Sequence, residues 1–133
     1  MREIKFRAWE TIAKFMATHE DFIETKIPYY QMIQAESYIL MQYTGLSDKE
    51  GVEIYEGDIL ALSNTPPNRM IVSVVFEDAC FVLNGTQTDF YGKTCLNKVA
   101  HEDEAYEASH YCEVIGNMYE NPELLNENIK QER

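Results

Sequence analysis

Hydrophobic and charged positions alternate at the start of the chain: Ile4, Phe6 and Ala8 interleave with Glu3, Lys5, Arg7 and Trp9. A period of two predicts a half-buried strand that Trp9 closes. Over residues 11–25 the positions Ile12, Phe15, Met16, Phe22 and Ile23 fit one helical face, but the polar residues 18–21 would equally serve as a turn between strands. Helix and strand both stay open for residues 11–37. From Ser37 to Tyr43 the chain becomes β-branched and aromatic and predicts a strand, with a bend at Thr44-Gly45-Leu46. Ser47-Asp48-Lys49-Glu50-Gly51 has polar turn chemistry and a closing glycine suited to positive φ. Val52 and Ile54, then Ile59, Leu60 and Leu62, flank Glu56-Gly57-Asp58, where the glycine reads as a bulge or corner.

Pro66 and Pro67 mark a loop between two β units. Residues 71–76 and 80–83 then read as a second hairpin turning at Glu77-Asp78. Residues 85–92 look like a loop, 101–107 a solvated loop or short helix, and 112–119 a last strand. Asn121-Pro122 has the form of an N-cap followed by proline in the first helical position, predicting a short C-terminal helix. Short strands joined by tight turns predict a mainly β fold, a small barrel or partly open antiparallel sheet, in a single domain over residues 1–133.

An apolar content of 45% with 12% aromatics suffices for a packed core. No apolar run approaches the roughly 18–20 residues that span a bilayer, and no signal-like segment follows the N-terminal residues, so the expected location is cytoplasmic. Cys80, Cys95 and Cys112 are odd in number and form no C-x-x-C pair, which predicts reduced thiols. The net charge of −12 is uneven, with nine acids against two bases in residues 101–133. Nucleic-acid affinity needs a basic footprint, and only Arg2, Lys5 and Arg7 offer one, so direct nucleic-acid binding is disfavoured.

Four stretches together resemble the YopX family of phage and prophage proteins. They are Arg2-Glu3-Ile4-Lys5-Phe6-Arg7-Ala8-Trp9; Leu40-Met41-Gln42-Tyr43-Thr44-Gly45-Leu46 continuing through Asp48-Lys49 and Gly51 to Glu53-Ile54-Tyr55-Glu56-Gly57-Asp58-Ile59; Val75-Phe76-Glu77-Asp78; and Glu113-Val114-Ile115-Gly116-Asn117 with Tyr119-Glu120-Asn121-Pro122-Glu123-Leu124-Leu125. Residues 10–37 and 84–112 lie outside it. The resemblance implies an SH3-like β-barrel, a phage or prophage origin in a bacterial host cell, and no established activity or catalytic residues. Three positions depart from the family pattern: Glu50 where Asn is frequent, Val52 where Lys is frequent, and Ala79 where Gly is usual.

No constellation commands a catalytic reading. His110-x-Cys112 is the one close pair of metal-ligand type, with His101, Cys80 and Cys95 distant, and cysteines in strands are usually core residues. Glu56 and Asp58 would share one strand face and Glu53 the other, so the three carboxylates do not converge; Asp58 is expected to accept backbone hydrogen bonds at its turn. Phosphate-loop, serine-hydrolase and zinc-protease motifs are absent from the sequence. No enzyme, cofactor, metal or catalytic residue is therefore assigned. Nine tyrosines favour a binding surface, because tyrosine joins an apolar body to a polar tip. About half would fill a barrel wall; Tyr29, Tyr30, Tyr91 and Tyr106 are the candidates for contact with a protein partner or another copy of the chain. Two function classes follow. The first is a noncatalytic interaction module able to self-associate. The second is an acidic DNA mimic that inhibits a host DNA-binding protein, against which stands the ordinary solubilising role of surface charge.

Overall fold

The computed structural model of the chain describes residues 3–26, 28–62, 70–77, 79–85, 94–95 and 112–125. In chain order the elements are β1 (Phe6–Glu10), β2 (Phe15–Ala17), α1 (His19–Thr25), α2 (Tyr29–Gln34), β3 (Tyr38–Ser47), β4 (Glu53–Tyr55), β5 (Asp58–Leu62), β6 (Met70–Glu77), β7 (Cys80–Gly85), β8 (Thr94–Cys95) and β9 (Cys112–Asn117). The fold is mainly β, with antiparallel sheets in the orders β2-β1-β3-β4 and β8-β7-β6-β5-β9, one of them curled into a half-barrel. The chain divides into two compact units, Met1–Gly45 and Leu46–Arg133.

In the first unit β1 lies between β2 and β3. Ala8 stands opposite Ala17 on one side and Leu40 on the other, so the three share a sheet face. The two alanines are small, and α1 lowers Phe22 onto this row, where Tyr38 and Leu40 complete the cluster. Across the opposite face run Met16, Trp9 and Ile39, matched in register. The N-terminal alternation is half-buried as expected, with one inversion ahead of β1: Ile4 is 60% exposed and Lys5 is buried. The lysine stem is apolar, and its ammonium lies 5.0 Å from the centroid of the Tyr43 ring and 3.2 Å from Glu3.

The open choice over residues 11–37 resolves into a short strand and two short helices. Helix α1 starts where a turn was an equal reading, because Thr18 and Asp21 cap it reciprocally. The Thr18 hydroxyl accepts from the Asp21 N–H at 3.2 Å, and the Asp21 carboxylate accepts from the Thr18 N–H at 2.8 Å. The usual box has Glu or Gln at that third position, and the shorter Asp hides it from a pattern reading. Strand β3 does not stop at the expected bend; it continues to Ser47 through Gly45 at φ +88°, a backbone region that glycine enters freely.

In the second unit every residue of β5 is buried. Leu60 and Leu62 pack with Ile54, Val72, Val74, Leu83 and Cys112. Ile59 and Ala61 pack with Ile71 on the other side, covered by Ile115, Met118, Leu124 and Leu125. A strand enclosed on both faces needs an unbroken apolar run, and Ile59-Leu60-Ala61-Leu62 supplies it. The expected hairpin is present as β6 and β7, in register from Val72 opposite Gly85 to Glu77 opposite Cys80. One expectation is corrected: Cys80 is disulfide-bonded, while Cys112 is a buried free thiol. Strand β8 pairs beside β7, with Cys95 opposite Val82, a proximity that sequence separation does not reveal.

Candidate functional site

Of the acidic residues that sequence spacing singles out, Glu53 lies in β4, Glu56 in the turn after it, and Asp58 at the start of β5. Glu56 and Gly57 connect β4 to β5, and Gly57 takes φ +89° while its N–H donates to the Val74 carbonyl at 2.7 Å. Asp58, almost wholly buried, accepts from the Tyr55 N–H at 2.8 Å, the backbone role expected of it. In the first unit buried Glu10 accepts from the N–H groups of Ile12 and Ala13 and so closes the turn between β1 and β2. A carboxylate whose oxygens accept from backbone donors serves as a fixed hydrogen-bond acceptor of its turn.

Asp48 extends this pattern across the second unit. It is 2% exposed. Its Oδ1 accepts from Glu50 N–H at 2.9 Å and Val52 N–H at 2.8 Å, and its Oδ2 accepts from Val114 N–H of β9 at 2.8 Å. The Lys49 N–H donates to the Cys112 carbonyl at 3.1 Å, and Lys49 Nζ lies 3.8 Å from Glu113. Glu50 and Val52, two of the departures from the family pattern, enter this turn through backbone N–H groups, so their side chains leave it intact. Sequence reading identifies Asp48 as a turn residue but not its reach to a strand 66 positions away.

Asparagines do similar work after β9. Asn117 Oδ1 accepts from Tyr119 N–H at 3.0 Å and Glu120 N–H at 2.8 Å. The short C-terminal helix expected after Asn121-Pro122 is present at residues 123–125, and the Asn121 carbonyl receives Leu124 N–H at its start; the Asn121 Oδ1 does not cap it but accepts from Asn117 N–H at 3.2 Å. A Cβ on Gly116 would lie 2.6 Å from Asn121 Oδ1, so glycine there makes room for this contact.

Burial, and secondarily the negative charge of Asp48, push the Cys112 thiol up to about 11 from 9.0. It is therefore a protonated core group at neutral pH rather than a nucleophile. Among the described residues no group of three or more His, Cys, Asp or Glu is placed to hold a metal ion. His101 and His110 lie outside the described residues.

Of the tyrosine candidates, Tyr30 is 61% exposed on α2, three residues before Ile33 at 66%. A separation of three puts both on one helical face. On α1, Ile23 is 62% exposed. Tyr29 begins α2, its side chain outside the described set, and Tyr91 and Tyr106 lie outside the described residues. Tyr30 is thus the candidate whose side chain falls among the described residues, and it is accessible. Sequence reading missed Ile33 beside it, because a six-residue helix gives too few turns for a periodic signal.

Among the described residues no helix is long and apolar enough to cross a membrane. No curated protein matches the chain. Protein EF1440 from Enterococcus faecalis has a similar structure, with 25% identity, a TM-score of 0.61, and coverage of 94% of this chain and 99% of that one. Protein yopX from Bacillus subtilis is similar in fold at 22% identity and TM-score 0.59, again over 94% of this chain and 99% of its own. The family model described as YopX protein matches residues 5–126. With the family pattern at the turns given its structural reason and the match spanning both units, the chain belongs to the YopX family.

Proposed function

We propose that this chain is a noncatalytic protein-interaction module, an accessory protein of a phage or prophage that acts in the cytoplasm of the bacterial host. The observation that carries the proposal is the pair Tyr30 and Ile33, both more than half exposed on one face of α2. A tyrosine beside an aliphatic residue is the composition of a contact surface rather than of a solvated helix. The buried carboxylates support the same reading, since Glu10, Asp48 and Asp58 accept backbone hydrogen bonds at turns. Self-association through the same face belongs to this proposal.

The test compares the wild-type chain with a Tyr30→Ser/Ile33→Ser variant as baits in host lysate, with nuclease present and at low and moderate salt. The variant is expected to keep its circular dichroism and thermal midpoint, because exposed substitutions change stability by about 0.5 kcal/mol or less. It is expected to lose a stoichiometric partner that wild type retains at moderate salt. Equal recovery by both baits would remove α2 from the interface. A partner that leaves as salt rises and competes with duplex DNA would transfer support to the acidic mimic.

A further inference from the structure

In the antiparallel pairing of β9 with β5, Leu60 faces Val114, Ala61 faces Glu113 and Leu62 faces Cys112. Successive residues of such a strand direct their N–H and C=O groups alternately toward the partner and away from it. Cys112 and Val114 are the outward pair, and β9 stands at the end of its sheet. Both outward groups are met by one turn: Cys112 C=O by Lys49 N–H at 3.1 Å, and Val114 N–H by Asp48 Oδ2 at 2.8 Å.

We propose that the residue 48–52 turn is a strap that holds the outer edge of β9 closed, with Asp48 as its latch, and that opening it makes this edge a pairing surface for a second copy of the chain. The proposal does not depend on the role given to α2. Turn closure by itself needs only one carboxylate oxygen, Oδ1, on Glu50 and Val52; the second oxygen is committed to β9. A side-chain oxygen satisfies the edge donor without adding a strand that could itself be extended, as a backbone partner would. The strap is held from within by Asp48 N–H to Val52 C=O at 2.8 Å and Gly51 N–H to Asp48 C=O at 3.0 Å, with Gly51 at φ +82°. The occupant follows from β9 itself. Cys-Glu-Val-Ile-Gly-Asn carries one charge in six residues and adjacent β-branched side chains, a composition that pairs with its own copy once its edge is free.

Asp48→Asn separates latch from turn. Its amide oxygen still accepts from Glu50 and Val52, whereas its NH2 group meets the Val114 N–H, donor against donor. Residue-resolved hydrogen exchange should show the Val114 amide exchanging about tenfold faster or more, the loss of one such bond. Sedimentation velocity should show a concentration-dependent dimer beyond the wild-type state, abolished by adding Val114→Pro, which removes the pairing donor. Unchanged exchange at Val114, a mass equal to wild type, or a dimer that survives the proline would each overturn the proposal. If Asp48→Asn does not fold, Lys49→Pro compared with Lys49→Ala carries the test: proline suits the second position of the turn, both variants lose the Lys49 Nζ contact with Glu113, and only the proline withdraws the donor to Cys112 C=O. A weaker but measurable dimer is then expected, and wild-type mass at all concentrations would overturn the strap.

Discussion

In the second unit β5 is enclosed on both faces, by Leu60 and Leu62 in one cluster and Ile59 and Ala61 in the other. In the first unit the cluster is Ala8, Ala17 and Phe22 with Tyr38 and Leu40, while Ile12, Ile23, Tyr30 and Ile33 are each more than 60% exposed. Charge divides the other way. Met1–Gly45 holds five Lys and Arg against six Asp and Glu, and Leu46–Arg133 holds six against 17. The acidic charge thus accompanies the larger core, and among the described residues the nearly neutral unit carries most of the exposed large hydrophobics. Excess like charge favours solubility and opposes association, and the surface proposed for a partner, on α2, lies in the unit that carries little of it. The difference teaches that the family pattern at the turns of the second unit records how a core and its turns are closed.

The sharpest way to break this comparison is to remove one side chain from each core. Leu60→Ala should lower unfolding free energy by about 3–5 kcal/mol, and Phe22→Ala, whose pocket is shallower, by about 3 kcal/mol, read by urea denaturation of the intact chain. Hydrogen exchange should then separate the units: Phe22→Ala accelerates amides of β1 to β3 and leaves β5 and β6 protected. A uniform rise in both would dissolve the distinction.

Gly116→Ala tests the turn locks of the second unit. Its new methyl must displace the Asn121 side chain from Asn117 N–H, at a cost of roughly 1–3 kcal/mol in the same assay. The alkaline limb of stability tests the depth of that core. The folded Cys112 thiol ionises near 11 and an ordinary thiol near 9.0, so the unfolded chain loses its proton first. Stability from this group is then full below about 9 and declines as pH rises toward about 11. Cys112→Val should flatten that decline in denaturation series between these values. The smallest effect expected is a gain. Ala79 sits at φ +62° between β6 and β7, where glycine is usual in the family, and Ala79→Gly should raise the thermal midpoint through about 0.5–1 kcal/mol of relieved backbone strain.

Sequence alone determined the mainly β class, because period-two alternation and turn residues act within a few positions. It located the glycine turn at Gly51, the corner at Gly57 and the hairpin from β6 to β7, where the chain's own dihedral preferences decide the geometry. It also placed Asp58 at its turn, an interaction spanning three residues. Helix α1 was legible only in part, since its cap uses Asp21 where the recognised pattern has Glu or Gln. Tertiary structure alone decided that Lys5 is buried and Ile4 exposed, because the Tyr43 ring beneath the ammonium comes from another strand. It alone turned Asn121 back onto Asn117, gave Asp48 a third partner in β9 and placed Ile33 with Tyr30 in the open. Each of these depends on which segments meet in space. Hydrophobic pattern and turn chemistry carry information over a few residues, whereas sheet register and strand order are set by packing the whole chain.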